Sequence, residues 1–259
     1  MLETQQRKAK ICLYDLETAP SLGYIWDKYE TNVLWYVKQG YLLSYAYKWL
    51  GDNKTYVVSL PDFKTYKKDP ENDKELVQSL YRLFESAEVL VAHNGDSFDE
   101  RTANGRFFFH HLTPPPPHKR IDTLKISRKY FKIQSHKLDD LGDYLGVGRK
   151  ERTGGIDLWR DVLDGDMKAW KKMCKYNRMD VILLERIYLH LRPWAENHPA
   201  INLIENNVKA CPKCGACELV ARGTRYNKTT IYQRYRCKAC GGWCNSRTPV
   251  KLPKVEFVS

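Results

Sequence analysis

Apolar and polar positions in the first 200 residues switch between two periods. Continuous or alternating apolar runs predict strands over 10–16 (KICLYDL), 41–49 (YLLSYAYKW), 54–59 (KTYVVS) and 88–92 (EVLVA). Apolar residues three and four apart predict helices near 72–86, 98–110, 122–131, 137–145 and 166–190. Strands first, then strands mixed with helices, predict an α/β domain with a mixed central sheet flanked by helices. TPPPP at 113–117 cannot be helical and reads as a stiff extended spacer, and RTGGID at 152–157 reads as a second connector. No internal repeat is present. A chain of 259 residues suits one domain of about 150–200 residues with a small appendage, and the boundary falls near residue 200, giving domains 1–200 and 201–259.

Acids interrupt this pattern in three places. Asp15 and Glu17 close the first apolar run, and because strand side chains alternate faces they project together. In HNGDSFDERTANGRF, Asn94 and Gly95 make a turn, and Asp96 and Asp99 stand at the start of a helix, where a capping acid is ordinary. In KYNRMDVILLERIY, Tyr176 and Asp180 are four apart and share a helix face with Leu184 and Tyr188. Each cluster taken singly has a bland explanation: a strand fraying into a polar turn, a helix cap, an odd core acid. Paired carboxylates aimed into one space repel each other and need a cation to stay ionised.

Composition adds a partner class. The chain has 43 Lys+Arg against 31 Asp+Glu, a formal +12, which favours a polyanion. Residues 201–259 hold 11 basic and 3 acidic side chains and so supply most of the excess. They also hold six of the eight cysteines, in CPKCGAC and CKACGGWC, whereas Cys12 and Cys174 read as small core residues. Two C-x-x-C-G turns separated by 22 residues have the spacing of a four-thiolate zinc site, with Cys211, Cys214, Cys237 and Cys240 as ligands and Cys217 and Cys244 as spares. Gly215 and Gly241 suit a backbone that folds back over a metal. Three disulfides would need a secreted chain, and MLETQQRKAK lacks the apolar core of a signal peptide. Between the turns, Arg222, Arg225, Lys228, Arg234 and Arg236 interleave with Tyr226, Tyr232 and Tyr235 in a hairpin-like pattern. Cations there can meet phosphates while rings stack on bases, or the face is simply solvated and balances the thiolates. No apolar stretch approaches the roughly 20 residues of a membrane span, so a soluble intracellular protein is expected.

D-x-E, N-x-x-x-F-D and Y-x-x-x-D in that order resemble the three exonuclease motifs of the DnaQ-like, or DEDD, superfamily of 3′–5′ exonucleases, over roughly residues 8–192. YDLET, HNGDSFD, HKLDDLGDYLG and YNRMD are similar to words in the proofreading domains of B-family DNA polymerases. The resemblance implies an RNase H-like fold and a catalytic set of Asp15, Glu17, Asp99 and Asp180. Tyr176, four before the last acid, marks the tyrosine subclass, and Lys175 stands where the histidine subclass needs His. The family pattern selects Asp99 over Asp96. RYRCKACGGW resembles the zinc ribbons of transposases.

What the resemblance implies is a two-metal nuclease: the four carboxylates hold two Mg²⁺ or Mn²⁺, Asp15 bridging, and Tyr176 orients the attacking water. One structural Zn²⁺ is expected in the ribbon. Single-stranded DNA is the expected substrate, with RNA trimming in the manner of ribonuclease D and an inactive nucleic-acid-binding adaptor as alternatives. The chain lacks the length for polymerase palm and fingers, which implies a free-standing nuclease or a subunit working with a replication or repair protein. Free-standing enzymes of this layout resemble products of bacterial viruses, placing the protein in the host cytoplasm. His93, His110, His111 and His136 are assigned ordinary packing or surface roles.

Overall fold

The structure, a computed structural model, describes residues 7–30, 32–151 and 154–250. They fall into two compact units, one spanning Lys10–Ile187 and one formed by residues 188–250 with residues 7–9. Arg152 and Thr153 of the predicted connector lie outside the described residues.

In the larger unit β1 (Ile11–Thr18) is the centre of a five-stranded sheet. β4 (Leu42–Trp49) pairs with it antiparallel, and β5 (Tyr56–Ser59) pairs antiparallel with β4. On the other side β6 (Val89–Ala92) and β7 (Lys119–Asp122) continue parallel, giving the order β5-β4-β1-β6-β7. The mixed sheet expected from the pattern is present. β7 escapes a hydrophobic reading because KRID offers one apolar residue.

α1 (Lys74–Ser86) shows how helices meet the sheet. Leu76, Val77, Leu80, Leu83 and Phe84 repeat at three- and four-residue spacing and are all buried. Phe84 lies edge-on to Tyr14 of β1 at 5.2 Å and to Phe107 at 5.5 Å. Removing that ring by Phe84→Ala would cost about 3–5 kcal/mol. Phe107 belongs to α2 (Asp99–Phe109), after which come α3 (Thr123–Tyr130), α4 (Leu138–Tyr144), α5 (Ile156–Leu163) and α6 (Met167–Leu191). α5 begins inside the predicted connector, directly after Gly154 and Gly155, both at positive φ.

A short two-stranded sheet, β2 (Leu22–Tyr24) with β3 (Trp35–Lys38), follows β1 before the chain returns as β4. The sequence pattern gives no hint of it, because all four residues of β3 are exposed and neither face alternates.

The smaller unit carries α7 (Ile201–Ile204) and a three-stranded antiparallel sheet of order β10-β9-β8, formed by β8 (Leu219–Tyr226), β9 (Ile231–Cys237) and β10 (Trp243–Pro249). The expected hairpin is β8–β9, and WCNSRTP adds a strand that its composition does not announce. Tyr188 and His198 stack at 6.0 Å and share a 2.8 Å hydrogen bond, and burial pushes the His198 pKa down to about 4. No helix among the described residues is long and apolar enough to cross a membrane.

Candidate active site

The site grows from the place where β1 loses a neighbour. The last β1–β6 pair is Leu13 with Val91, so beyond it the β6 side of β1 is open while β4 still pairs through Thr18. A freed buried N–H needs an acceptor. The Leu16 N–H donates to Asp99 Oδ1 at 3.1 Å, and Asp99 is the first residue of α2. The second motif is thereby tied to the first through the backbone.

Carboxylate oxygens of Asp15, Glu17 and Asp180 lie within 4.8 Å of one another. Glu17, Asp99 and Asp180 are buried and Asp15 is half-buried. Asn177, fully buried on α6, donates from Nδ2 to Asp15 Oδ2 at 2.7 Å and to the Asp15 carbonyl at 3.3 Å, and its Oδ1 accepts from Ser44 at 3.3 Å. The Asp15 side chain is held in one orientation as a result. Asp96 lies in the turn and pairs with Lys125 at 2.5 Å on the surface, apart from this cluster.

Lys150 is the residue that sequence reasoning missed. Its Nζ lies 2.5 Å from Asp180 Oδ2 and donates to the Tyr176 hydroxyl at 3.0 Å, so one ammonium fixes both motif-three side chains. The Lys150 backbone N–H donates to Asp139 Oδ1 at 2.6 Å, which ties the loop to α4. A lone Lys in a polar loop carries no periodic or motif signal. Trp159 of α5 is a second such residue: its indole N–H donates to the Thr18 carbonyl at 3.2 Å, and its ring lies 6.3 Å from that of Tyr176. Asp122, at the end of β7, accepts from the Asn94 and Leu124 N–H groups at 3.0 and 2.9 Å, fastening the motif-two turn while capping α3.

Burial sets the electrostatics. It pushes the Asp15 carboxyl well above the usual range, and the neighbouring Asp99, Glu17 and Asp180 carboxylates push the same way. Burial, then Asp180, lifts Glu17 to about 8, and burial lifts Asp99 to about 7 against the Leu16 hydrogen bond. Asp180 is also raised by burial, although Lys150 opposes it. For Lys150 burial works against the charge, yet Asp180 and Tyr176 outweigh it and its pKa lies above the ordinary value. One ammonium faces four carboxyl groups. Asp180 Oδ1 is buried with no hydrogen-bond partner among the described residues, an unmet acceptor pointing to a missing donor or cation. An all-oxygen donor set of this charge suits a hard divalent cation such as Mg²⁺ or Mn²⁺.

The histidines have local partners. His93 bonds Thr123 at 2.9 Å with its pKa pushed down to about 4 by burial, His110 bonds the buried Asp73 at 2.7 Å, and His136 bonds Ser127 at 2.8 Å. His111 takes positive φ in the turn after α2.

In the smaller unit the sulfurs of Cys211, Cys214, Cys237 and Cys240 lie within 4.8 Å of one another. Cys211 to Cys240 is 3.8 Å and Cys214 to Cys237 is 3.7 Å. A tetrahedral four-thiolate site with metal–sulfur bonds near 2.3 Å has edges of about 3.8 Å, so the cluster has the size of one. Gly215 and Gly241 take φ of 76° and 75°, and their N–H groups close the two turns onto the carbonyls of Cys211 and Cys237 at 2.9 and 3.0 Å. Cys217 is exposed and accepts from Asn207, and neither it nor Cys244 joins the cluster. Arg222, Arg225, Lys228, Arg234 and Arg236 are all exposed. Arg234 lies over the Trp243 ring at 4.8 Å.

A sequence-family profile described as RNase_H superfamily matches residues 38–192, and the chain belongs to that superfamily. Asp99, Lys150, Tyr176 and Asp180 fall inside the match, whereas Asp15 and Glu17 precede it. No curated protein matches the chain. Among solved structures, the family B DNA polymerase of the hyperthermophilic archaeon Pyrobaculum calidifontis is similar in fold, with a TM-score of 0.53 at 13% identity over 87% of this chain. The chain spans about a third of that polymerase, 32% of its length.

Proposed function

We propose that the protein is a metal-dependent 3′–5′ exonuclease of the DnaQ-like tyrosine subclass that hydrolyses single-stranded DNA. The observation that carries this reading is the convergence of the Asp15, Glu17 and Asp180 carboxylates within 4.8 Å, with Asp180 Oδ1 unpartnered among the described residues and Lys150 bonded to both Tyr176 and Asp180. Membership of the RNase H superfamily and the fold shared with a DNA polymerase support it. Asp15, Glu17 and Asp180 would hold one divalent cation, and Asp99, which lies outside that group of three, would serve a second with Asp15, directly or through water. Such cations supply Lewis acidity and a water ionised at neutral pH. Asn177 keeps Asp15 aimed into the site. Tyr176, its hydroxyl fixed by Lys150, orients the attacking water toward the terminal phosphodiester. Lys150 also favours the ionised form of Asp180.

In the smaller unit the four thiolates would hold one Zn²⁺, making a zinc ribbon whose exposed Arg and Lys side chains meet the phosphates of the same strand. The test uses 5′-labelled single-stranded DNA and RNA oligonucleotides with Mg²⁺, Mn²⁺ or EDTA. DNA ladders that shorten one nucleotide at a time from the 3′ end, absent in EDTA and in Asp15→Asn, are expected. Shortening from the 5′ end, or cleavage unaffected by Asp15→Asn, would refute the reading.

A further inference from the structure

The β2–β3 hairpin is the part of the larger unit that the proposed chemistry leaves unexplained. Trp26 is 84% and Tyr29 85% exposed at its tip, and Tyr36, Trp35 and Tyr24 are 60%, 58% and 54% exposed along its strands. The Tyr24 and Trp35 rings already lie against each other, centroids 4.6 Å apart at 34°. A two-stranded ribbon with both faces in water is marginal by itself, and exposed apolar surface of this kind marks a binding site.

Its attachment is firm. The Ala19 N–H donates to the Tyr41 carbonyl at 2.9 Å, the Gly40 N–H to Ser21 Oγ at 3.1 Å, and Lys38 pairs with Glu71 at 2.8 Å. The hairpin is therefore rooted on the end of β1 that carries Glu17. Leu22 follows Glu17 by five residues, which bounds the separation of their Cα atoms at about 18 Å.

We propose that this hairpin is a stacking platform for the bases of single-stranded nucleic acid, holding the strand as its end enters the acid cluster. The inference rests on the exonuclease reading for the identity of the strand. Two features favour nucleic acid over a protein. The four most exposed large apolar side chains of the hairpin are flat rings, ahead of the aliphatic Leu22, Ile25, Val33, Leu34 and Val37, and stacking on rings tolerates any base, as an enzyme that removes successive nucleotides requires. The hairpin also grows from the end of β1 that carries Glu17, its first residue within about 18 Å of that acid, to which the polymer end must come. Its charges, Asp27, Glu30, Lys28 and Lys38, balance, so its contribution is to bases and not to phosphates.

Binding of a single-stranded DNA 20-mer is measured with the full chain carrying Asp15→Asn, with and without Trp26→Ala plus Tyr29→Ala. The added pair should weaken binding roughly tenfold or more. The slope of log affinity against log salt should stay unchanged because the rings carry no charge. An abasic 20-mer should bind both forms equally, and Trp26→Phe plus Tyr29→Phe should restore most of the affinity. In the otherwise native chain the alanine pair should raise KM for the 20-mer and leave kcat within twofold.

Equal affinity of the two forms for the 20-mer overturns the inference, as does equal weakening on the abasic strand. A dimer that dissociates on alanine substitution while DNA binding is unchanged overturns it in favour of a second copy of the chain. The two readings fail separately: a native chain that binds the 20-mer through the rings but shortens no strand in Mg²⁺ or Mn²⁺ removes the exonuclease and keeps the platform.

Discussion

The Leu16 backbone N–H donates to the Asp99 carboxylate at 3.1 Å, joining residues 83 apart at the point where β1 has lost its β6 partner. Asp99 thus has a structural task beside its proposed chemical one, and two substitutions separate them. Asp99→Asn keeps an acceptor for Leu16 and should abolish cleavage with little change in thermal midpoint. Asp99→Ala leaves a buried N–H unmet and should also lose about 1–3 kcal/mol of stability. Urea titration of both variants beside a cleavage assay checks this. Loss of stability in both, or in neither, would deny the bond its structural role.

Asp96 provides the contrast. Its pair with Lys125 is exposed, and such pairs contribute about 0–1 kcal/mol. Asp96→Ala should leave cleavage within a few-fold of the native chain. If it were as damaging as Asp99→Ala, the register of the second motif would have to move to Asp96.

What the sequence made legible followed from periodicity and spacing. β1 showed itself by its apolar run, and Asp15, Glu17 and Asp180 by interrupting apolar patterns that tertiary packing then brought together. The four clustered cysteines were legible because a thiolate site demands two short loops. Lys150 was not, since its role is defined by Tyr176 and Asp180, 26 and 30 residues away. The β2–β3 hairpin was missed for the opposite reason: its rings face water, so no buried face imposes an alternation. Asp122 gave no signal in the sequence because its task, holding the Asn94 turn, exists only once β6 and β7 lie side by side.

Lys150→Met tests the side chain that fixes motif three. Losing the contact that positions Tyr176 should slow single-turnover cleavage by roughly ten to a thousandfold. Removing the ammonium also removes the influence that lowers the Asp180 pKa, so the acidic limb of the pH–rate profile should move to higher pH. Tyr176→Phe should slow cleavage to a similar degree with a smaller shift in the same direction, since the Tyr176 hydroxyl also lowers the Asp180 pKa but less than Lys150 does. An unshifted profile in Lys150→Met would reduce Lys150 to packing.

Cation binding should be linked to protons. Without cations Glu17 titrates near 8 and Asp99 near 7, whereas in the unfolded chain both release their protons near pH 4. Between roughly pH 4 and 8 the folded state therefore binds more protons than the unfolded state, and the site's contribution to stability falls as pH rises. Divalent cations bound there would replace those protons. Mn²⁺ should raise the thermal midpoint more at pH 8 than at pH 6, and calorimetry in buffers of different ionisation enthalpy should register proton release on binding. Equal stabilisation at both pH values would contradict the carboxylate cluster as the binding site.

The smaller unit makes a prediction in which metal and charge can be varied independently. Four sulfurs at tetrahedral spacing should retain one zinc per chain, and since thiolate coordination holds such small modules together, Cys237→Ser should release the metal and unfold the ribbon. Cys217→Ser should do neither, because that thiol is exposed and outside the cluster. Arg222, Arg225 and Lys228 are exposed on β8 and the loop after it, where their replacement by Ala disturbs no buried contact. If each meets one phosphate, the triple replacement should keep the zinc and flatten the dependence of log affinity on log salt by about 2, at roughly 0.7 per phosphate on a single strand. Cys237→Ser should flatten it at least as much, since it disperses the same charges. Retained zinc with an unchanged salt slope in the triple variant would assign the ribbon to protein contacts or stability and leave strand binding to the larger unit.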